Sequence, residues 1–324
     1  MARTLTPERR ELALEAKNLR EFGYTQQEIA DAFRKPRRTI AYWLSIVANG
    51  TSGKVATRNH LARIPLTTMA TIDITLYPCR YEEKENDIPR KSVDLILTDP
   101  PYLVSDNDIT RTNQASLHRD SGEWDKTPEH AYQDSVKTWA QLMSKQLKVG
   151  GSLYLFISFR QSHIWVEAFE NNGLQFGNVL LWHRVNPAPQ IRQTRWCSAF
   201  DLILFYTKGA PKTFIWLGQN EMHNVIKGPE ELHNVITGPI CAGNEREYHP
   251  TQKPRWLLQK LLQVSSKPGD VVLDPFAGSG STAFAVGHMP RRKFILVEPE
   301  PKYVGLIQSI AKDEFGCKVT LKDN

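Results

Sequence analysis

No stretch of the chain approaches the roughly 18 consecutive apolar residues that a membrane-spanning helix needs, and Arg3, Glu8, Arg9 and Arg10 precede any apolar run. Neither a membrane span nor a secretory leader is therefore expected. Cysteine is scarce. The four, Cys79, Cys197, Cys241 and Cys317, stand far apart with no Cys-x-x-Cys pair, so no disulfide framework and no zinc site is indicated, and a reducing cytosol is the expected compartment. The excess of charge that marks disorder is missing too: 40% of residues are hydrophobic and 23% charged. A chain of 324 residues with that balance is expected to hold one large core and one small appendage.

Most of the chain also lacks any charge imbalance. Of the 41 Lys/Arg and 35 Asp/Glu, residues 1–64 hold 12 and 6, which leaves 29 of each sign in the rest. The whole +6 thus sits in an N-terminal segment, where it is either a solvated charged face or an attractor for a phosphate backbone.

Within that segment, Leu12, Leu14, Ala16, Leu19 and Phe22 recur at helical spacing over 7–22, and Gly23 ends the run. Thr25 and Glu28 form a capping box that opens a second helix carrying Ile29, Ala30 and Phe33. After Arg34-Lys35-Pro36 a third helix is predicted over 37–47. The arrangement resembles a helix-turn-helix, which would place Arg37, Arg38, Thr39 and Tyr42 in a major groove. The alternative is a helical hairpin packed on the rest of the chain. The expected division is a basic domain over 1–48, a linker over 49–70 containing Asn49-Gly50-Thr51-Ser52-Gly53, and a catalytic domain over 71–324.

From Ile72 onward short apolar strands alternate with helices, the pattern of a parallel α/β sheet. Seven strands are predicted, over 72–77, 93–98, 152–158, 178–183, 201–207, 270–273 and 293–297, with helices over 129–147, 256–264 and 302–312. The expected fold is α/β, a Rossmann-like sheet with helices on both faces, plus the small all-α N-terminal part. Residues 223–229 nearly repeat as 233–239, which reads as a local duplication in a loop or hairpin.

Two strands end in residues that carry chemistry. The run Val93–Thr98 leads into Asp99-Pro100-Pro101-Tyr102. Paired prolines stiffen the backbone and remove two N–H donors, which leaves carbonyl oxygens beside a carboxylate and an aromatic face at the end of a strand, where open α/β sheets bind ligands. That set suits an exocyclic amino group. Its nitrogen is a poor nucleophile because the lone pair is delocalised into the ring; N–H bonds donated to the Asp99 carboxylate and the Pro100 carbonyl favour a pyramidal nitrogen. Tyr102 would stack on a base drawn out of its duplex. Taken alone, the four residues equally describe a strand-ending turn.

The run Asp270–Leu273 leads into Asp274-Pro275-Phe276-Ala277-Gly278-Ser279-Gly280-Ser281-Thr282, a glycine-rich turn that opens a helix whose N-terminus favours an anionic group. Gly278, Gly280 and Ala283 with Glu298 also fit a dinucleotide fingerprint, so a nicotinamide site is a rival, and Glu298 by itself could be a solvated strand-end charge. Between the two runs, His249-Pro250-Thr251-Gln252-Lys253-Pro254 offers a cation beside a ligand carboxylate or, on spacing alone, a polar lead-in to a helix.

Together the three strings, in this order, resemble the β-class S-adenosylmethionine-dependent DNA amino-methyltransferases of the N6-adenine and N4-cytosine group, over about residues 72–310. The resemblance implies catalytic roles for Asp99, Pro100, Pro101 and Tyr102. It implies cofactor contacts from Asp274, Phe276, Gly278, Ser279, Gly280, Ser281, Thr282 and Glu298, with His249, Lys253 and Asp73 on the cofactor side. It also implies a mobile loop over 103–125 and a target-recognition region over 184–248, in which Arg192, Arg195 and Lys208 meet DNA; Asp201 stands where the family usually has a glutamate. Duplex DNA and S-adenosylmethionine are the implied partners, with a homodimer, a cytoplasmic enzyme of bacterial or phage origin, and no metal. An aspartate at the first clamp position implies adenine. The other readings are N4-cytosine, RNA or a protein amide as substrate, and a DNA-binding regulator built on an inactive methyltransferase fold, the N-terminal helix-turn-helix being unusual for the family.

Overall fold

The computed structural model describes residues 26–32, 35–49, 72–102, 128–184, 199–217, 222–227, 253–286 and 292–322, with Ala13, Ala16, Lys17, Arg20 and Trp196 besides. Near the N-terminus, helices α1 (Gln26–Ala32) and α2 (Arg37–Asn49) pack Ile29, Ala30, Ile40 and Trp43 with Ala13 and Ala16 into a small apolar cluster of their own. Most of the predicted first helix, and the Thr25 side of the capping box, lie outside the described residues.

The remaining elements run β1 (Asp73–Tyr77), β2 (Val93–Thr98), α3 (Glu129–Gln146), β3 (Leu147–Ile157), α4 (Ser162–Asn171), β4 (Gln175–His183), β5 (Phe200–Thr207), β6 (Val225–Lys227), α5 (Arg255–Ser265), β7 (Val271–Asp274), α6 (Ser281–Phe284), β8 (Lys293–Val297), α7 (Pro301–Asp313) and β9 (Val319–Leu321). They build one sheet in the order β6-β4-β5-β3-β2-β7-β8-β1-β9. All neighbours are parallel except β5, which runs antiparallel to both β3 and β4. The sheet is thus wider than the seven strands expected, and mixed. Strands β6 and β9 have three residues each, too short to show a period-two pattern, and β6 lies inside the first copy of the duplicated segment. Helix α4 was also unassigned; it buries Ile164, Trp165, Ala168 and Phe169 and stops at Gly173, whose φ of 76° suits a glycine there.

Alternate strand residues feed two cores. One face carries Ile74, Leu76, Leu95, Leu97, Val272, Phe294 and Leu296 under α5, α6 and α7. The other carries Ile96, Leu153, Leu155, Ile157, Leu202 and Leu204 under α3 and α4. Period-two alternation in the strands and the helical spacing of Tyr132, Val136, Trp139 and Met143 make this two-sided burial the only arrangement that removes both apolar sets from water.

The strand order reverses between β2 and β7. From β2 the chain proceeds outward to β3, and from β7 outward the other way to β8. Such a switch point opens a crevice at the carboxyl ends of the two strands. Their opposite, amino ends are held by Asp94, which accepts from Lys148 Nζ at 2.6 Å and from the Val271 N–H at 3.0 Å. Among the described residues no helix is long and apolar enough to cross a membrane. Replacing Asp94 by Ala leaves the Val271 donor unpaired between strands, and a stability loss of about 1–3 kcal/mol is expected in denaturant unfolding; an unchanged midpoint would show that this brace carries no load.

Candidate functional site

The carboxyl ends of β2 and β7 bring Asp99 and Asp274 to neighbouring positions, Leu95 and Ile96 pairing with Val272 and Leu273 just before them. Asp274 is buried. It accepts from the Thr98 hydroxyl at 2.7 Å, the Thr282 hydroxyl at 2.6 Å and the Phe276 N–H at 3.2 Å, so one carboxylate ties the end of β2 to the glycine-rich loop. Asp274 therefore faces inward and shapes the loop. Burial pushes its carboxyl up to about 6, against the three hydrogen bonds that favour the charged form.

Beyond it, Phe276 turns its ring edge-on to Trp139 of α3, with centroids 4.9 Å apart, and to Tyr81. Gly278 adopts φ 51° with nothing within 4 Å of where a β-carbon would stand, whereas a β-carbon on Gly280, at φ 78°, would meet the Phe284 ring at 2.8 Å and Ile307 at 2.9 Å. The loop thus has one open glycine and one pressed against the core. Helix α6, which begins at Ser281, has four described residues.

Glu298 follows β8 as predicted. Its Oε2 accepts from the Gly278 N–H at 2.7 Å and its Oε1 from the Glu300 N–H at 2.9 Å. A carboxylate has about four acceptor positions, so two remain for a ligand's hydroxyls. Burial pushes this carboxyl up to about 7.

On the other side of the crevice, Asp99 accepts from the Tyr102 hydroxyl on Oδ1 and from Lys253 Nζ at 2.5 Å on Oδ2. The Lys253 ammonium also lies 5.1 Å from the Phe156 ring centroid and 6.0 Å from that of Tyr102. The Pro101 carbonyl accepts from the Tyr132 hydroxyl of α3 at 3.1 Å, which in turn accepts from Trp165 Nε1 at 3.2 Å. Burial and the adjoining Asp99 charge raise the Tyr102 hydroxyl well above its ordinary range.

The structure thus gathers Asp99, Pro100, Pro101, Tyr102, Lys253, Asp274, Phe276, Gly278, Ser279, Gly280, Ser281, Thr282 and Glu298 along the carboxyl edge of β2, β7 and β8. It does not bring Asp73 there. That residue opens β1 level with Lys293, about 13 Å of strand away from the end at Tyr77, because β1 runs parallel to β8 and only its last residue reaches the crevice. Lys253, expected as a cation on the cofactor side, reaches Asp99. Lys208, expected to meet DNA, turns inward to the Leu147 carbonyl at 3.1 Å and to that of Ser144, closing the turn before β3. His249, Arg192, Arg195 and the 103–125 loop lie outside the described residues. Arg37, Arg38 and Tyr42 are exposed on α2, Thr39 is half-buried, and Ile40 and Trp43 face inward. Thr98 and Tyr132 escaped the sequence reading because each looks like an ordinary strand or helix residue; only the fold shows what they hold.

A cleft at the switch point of such a sheet, with an open glycine and a strand-end carboxylate with acceptor positions to spare, defines the class: this is the fold of the S-adenosylmethionine-dependent methyltransferases. Solved structures agree. The M1.HpyAVI–SAM complex covers 75% of this chain and 99% of its own at a TM-score of 0.52 and 23% identity, and the PvuII DNA methyltransferase (cytosine-N4-specific) covers 78% and 96% at 0.57 and 19%. The family follows from sequence: residues 93–309 match the N6/N4 methyltransferase family described as DNA methylase, and the chain belongs to it. Among curated relatives, it is 33% identical over 235 residues to the type II methyltransferase M.HinfI of Haemophilus influenzae and 30% identical over 220 residues to the type II methyltransferase M2.DpnII of Streptococcus pneumoniae. Those matches take in 70% and 66% of this chain, and 65% and 80% of the respective relatives. S-adenosylmethionine is the cofactor of this family, and the Gly278 opening and the spare acceptors of Glu298 fit it.

Both raised carboxyls make the fold pH-dependent. A carboxyl raised on folding stabilises the native state fully below its unfolded value and loses that contribution as pH rises through its folded value. For Asp274 the window closes near 6 and for Glu298 near 7, so the melting temperature is expected to fall between pH 4 and 8. Asp274→Asn, whose amide can still serve Thr98 and Thr282, is expected to show a smaller fall over the same range. Parallel melting curves in calorimetry would contradict the assignment.

Proposed function

We propose that the protein transfers a methyl group from S-adenosylmethionine to N6 of an adenine rotated out of duplex DNA. What carries this reading is the join at the switch point: the Asp-Pro-Pro-Tyr turn and the glycine-rich loop share one crevice, linked by Thr98 and Asp274. The Asp99 carboxylate and the Pro100 carbonyl accept the two N–H bonds of the target amino group, and Tyr102 supplies the stacking surface that offsets part of the few kcal/mol of unstacking. Pro101, held by Tyr132, fixes the turn. Asp274, Phe276, Gly278, Ser279, Gly280, Ser281 and Thr282 form or shape the cofactor loop, with Glu298 for the ribose and His249 on the same side. Bound S-adenosylmethionine supplies a methyl made electrophilic by its sulfonium; the C–S pair stays on sulfur as the amino nitrogen takes the methyl and sheds one proton. The protein's task is alignment, which alone is worth several powers of ten in rate.

Adenine rather than cytosine is favoured by the aspartate at the first clamp position. The division into a basic domain over 1–48, a linker over 49–70 and a catalytic domain over 71–324 gives the +6 charge a use: Arg37, Arg38, Thr39 and Tyr42 on α2 meet one stretch of DNA while Arg192 and Arg195 in the 184–248 region meet the target. A cytoplasmic homodimer is part of the same reading. So is a place in a restriction-modification pair, supported by the likeness to type II methyltransferases.

The test is transfer from labelled S-adenosylmethionine to varied duplexes, followed by nucleoside analysis, with Asp99→Ala beside the unaltered protein. Labelled N6-methyladenine, reduced at least about 100-fold in the variant, is the expected outcome. N4-methylcytosine would overturn the base, and label appearing in RNA but in no duplex would overturn the substrate.

A further inference from the structure

The cation of the His-Pro-Thr-Gln-Lys-Pro string was expected on the cofactor side, yet Lys253 Nζ sits 2.5 Å from Asp99 Oδ2, with the lysine side chain 12% and the aspartate 26% exposed. The ammonium is enclosed by three things: that carboxylate, the face of Phe156 at 5.1 Å and the ring of Tyr102 at 6.0 Å. Two aromatic faces and one anion form a box for a desolvated cation. We infer that Lys253 is the positioning residue of the catalytic carboxylate, its counter-ion and its rotational stop, and not a contact for the methyl donor.

The surroundings explain the need. Asp99 stands beside buried Asp274, on which its charge acts unfavourably, and Asp201 of β5 adds negative charge near the Tyr102 hydroxyl that Asp99 also binds. On β5, Asp201 has its own cation in Arg184 at 3.6 Å, whereas the ammonium that reaches Asp99 is that of Lys253. An aspartate that is to accept N–H bonds from an amino group must be ionised and fixed in rotation. Tyr102 on Oδ1 and Lys253 on Oδ2 fix it before any base arrives, and each oxygen keeps an acceptor position for the substrate. Held on both oxygens, the carboxylate is set to orient the amino group.

This inference rests on the methyltransferase reading, but its first test does not. In the ligand-free protein, melting temperatures of Lys253→Met, Asp99→Asn and the double variant are compared at pH 5 and pH 8. Lys253→Met is expected to lose more stability at pH 8, where Asp274, whose carboxyl is raised to about 6, is charged beside the stranded Asp99, and Asp99→Asn is expected to remove that extra loss. Additive effects would overturn the pairing whatever the enzyme does. With transfer assayed, Lys253→Met is expected to lower kcat about 100-fold, while calorimetric affinity for S-adenosylmethionine changes less than about threefold and Lys253→Arg recovers part of the rate. A tenfold or greater loss of that affinity with kcat little changed would return Lys253 to the cofactor. Coupled melting with no transfer by the unaltered protein would leave the pair standing and strike the methyltransferase reading instead.

Discussion

Asp274 accepts hydrogen bonds from Thr98 at the end of one strand and from Thr282 and Phe276 in the loop beyond the next, and that buried carboxylate joins the two halves of the crevice. Without it the Asp-Pro-Pro-Tyr turn and the glycine-rich loop would lack this direct side-chain tie between two strand ends about 4.8 Å apart. Partners on both strands make each loop's geometry depend on the other. The cost is a carboxylate pushed up to about 6, tolerated because its hydrogen bonds replace the water it loses.

The supports behind this join come from the core rather than from the loops. The Tyr132 hydroxyl holds the Pro101 carbonyl, Trp165 orients that hydroxyl, and Trp139, stacked on Trp165 with centroids 6.2 Å apart, packs against Phe276 in a T-shaped pair. Helices α3 and α4 thus reach both halves of the crevice through one aromatic cluster. A packed core is stiff, so loops anchored in it are held more firmly than their own backbone would hold them.

Much of this was legible before the fold was known. The strand-then-turn character of Val93–Tyr102 and of Asp270–Thr282, and Glu298 at the next strand end, came from apolar runs broken by Pro and Gly, signals that lie within ten residues. What was not legible depends on contacts between distant segments. Lys253 and Asp99 are 154 positions apart, and no local pattern shows that the lysine faces the catalytic turn rather than the glycine-rich loop. Asp73 misled because an acidic residue in a short strand does not say which end of the sheet it occupies. Lys208 misled because a charged residue after a strand is usually solvated, and here the open carbonyls around Leu147 give it a better partner than water. The two three-residue edge strands are set by pairing with β4 and β1, not by their own sequence.

The claim that the two strand ends form one site is tested most directly at Thr98, which ends β2 and donates its hydroxyl to Asp274 at the foot of the glycine-rich loop. The measurement is calorimetric affinity for S-adenosylmethionine of Thr98→Val, at 25 °C, in protein shown by circular dichroism to be folded. Loss of one buried hydrogen bond to a carboxylate is expected to loosen the loop and weaken binding about tenfold, corresponding to roughly 1.5 kcal/mol. Affinity equal to that of the unaltered protein would mean that the glycine-rich loop holds its shape independently of the catalytic strand, contrary to the coupling through Asp274.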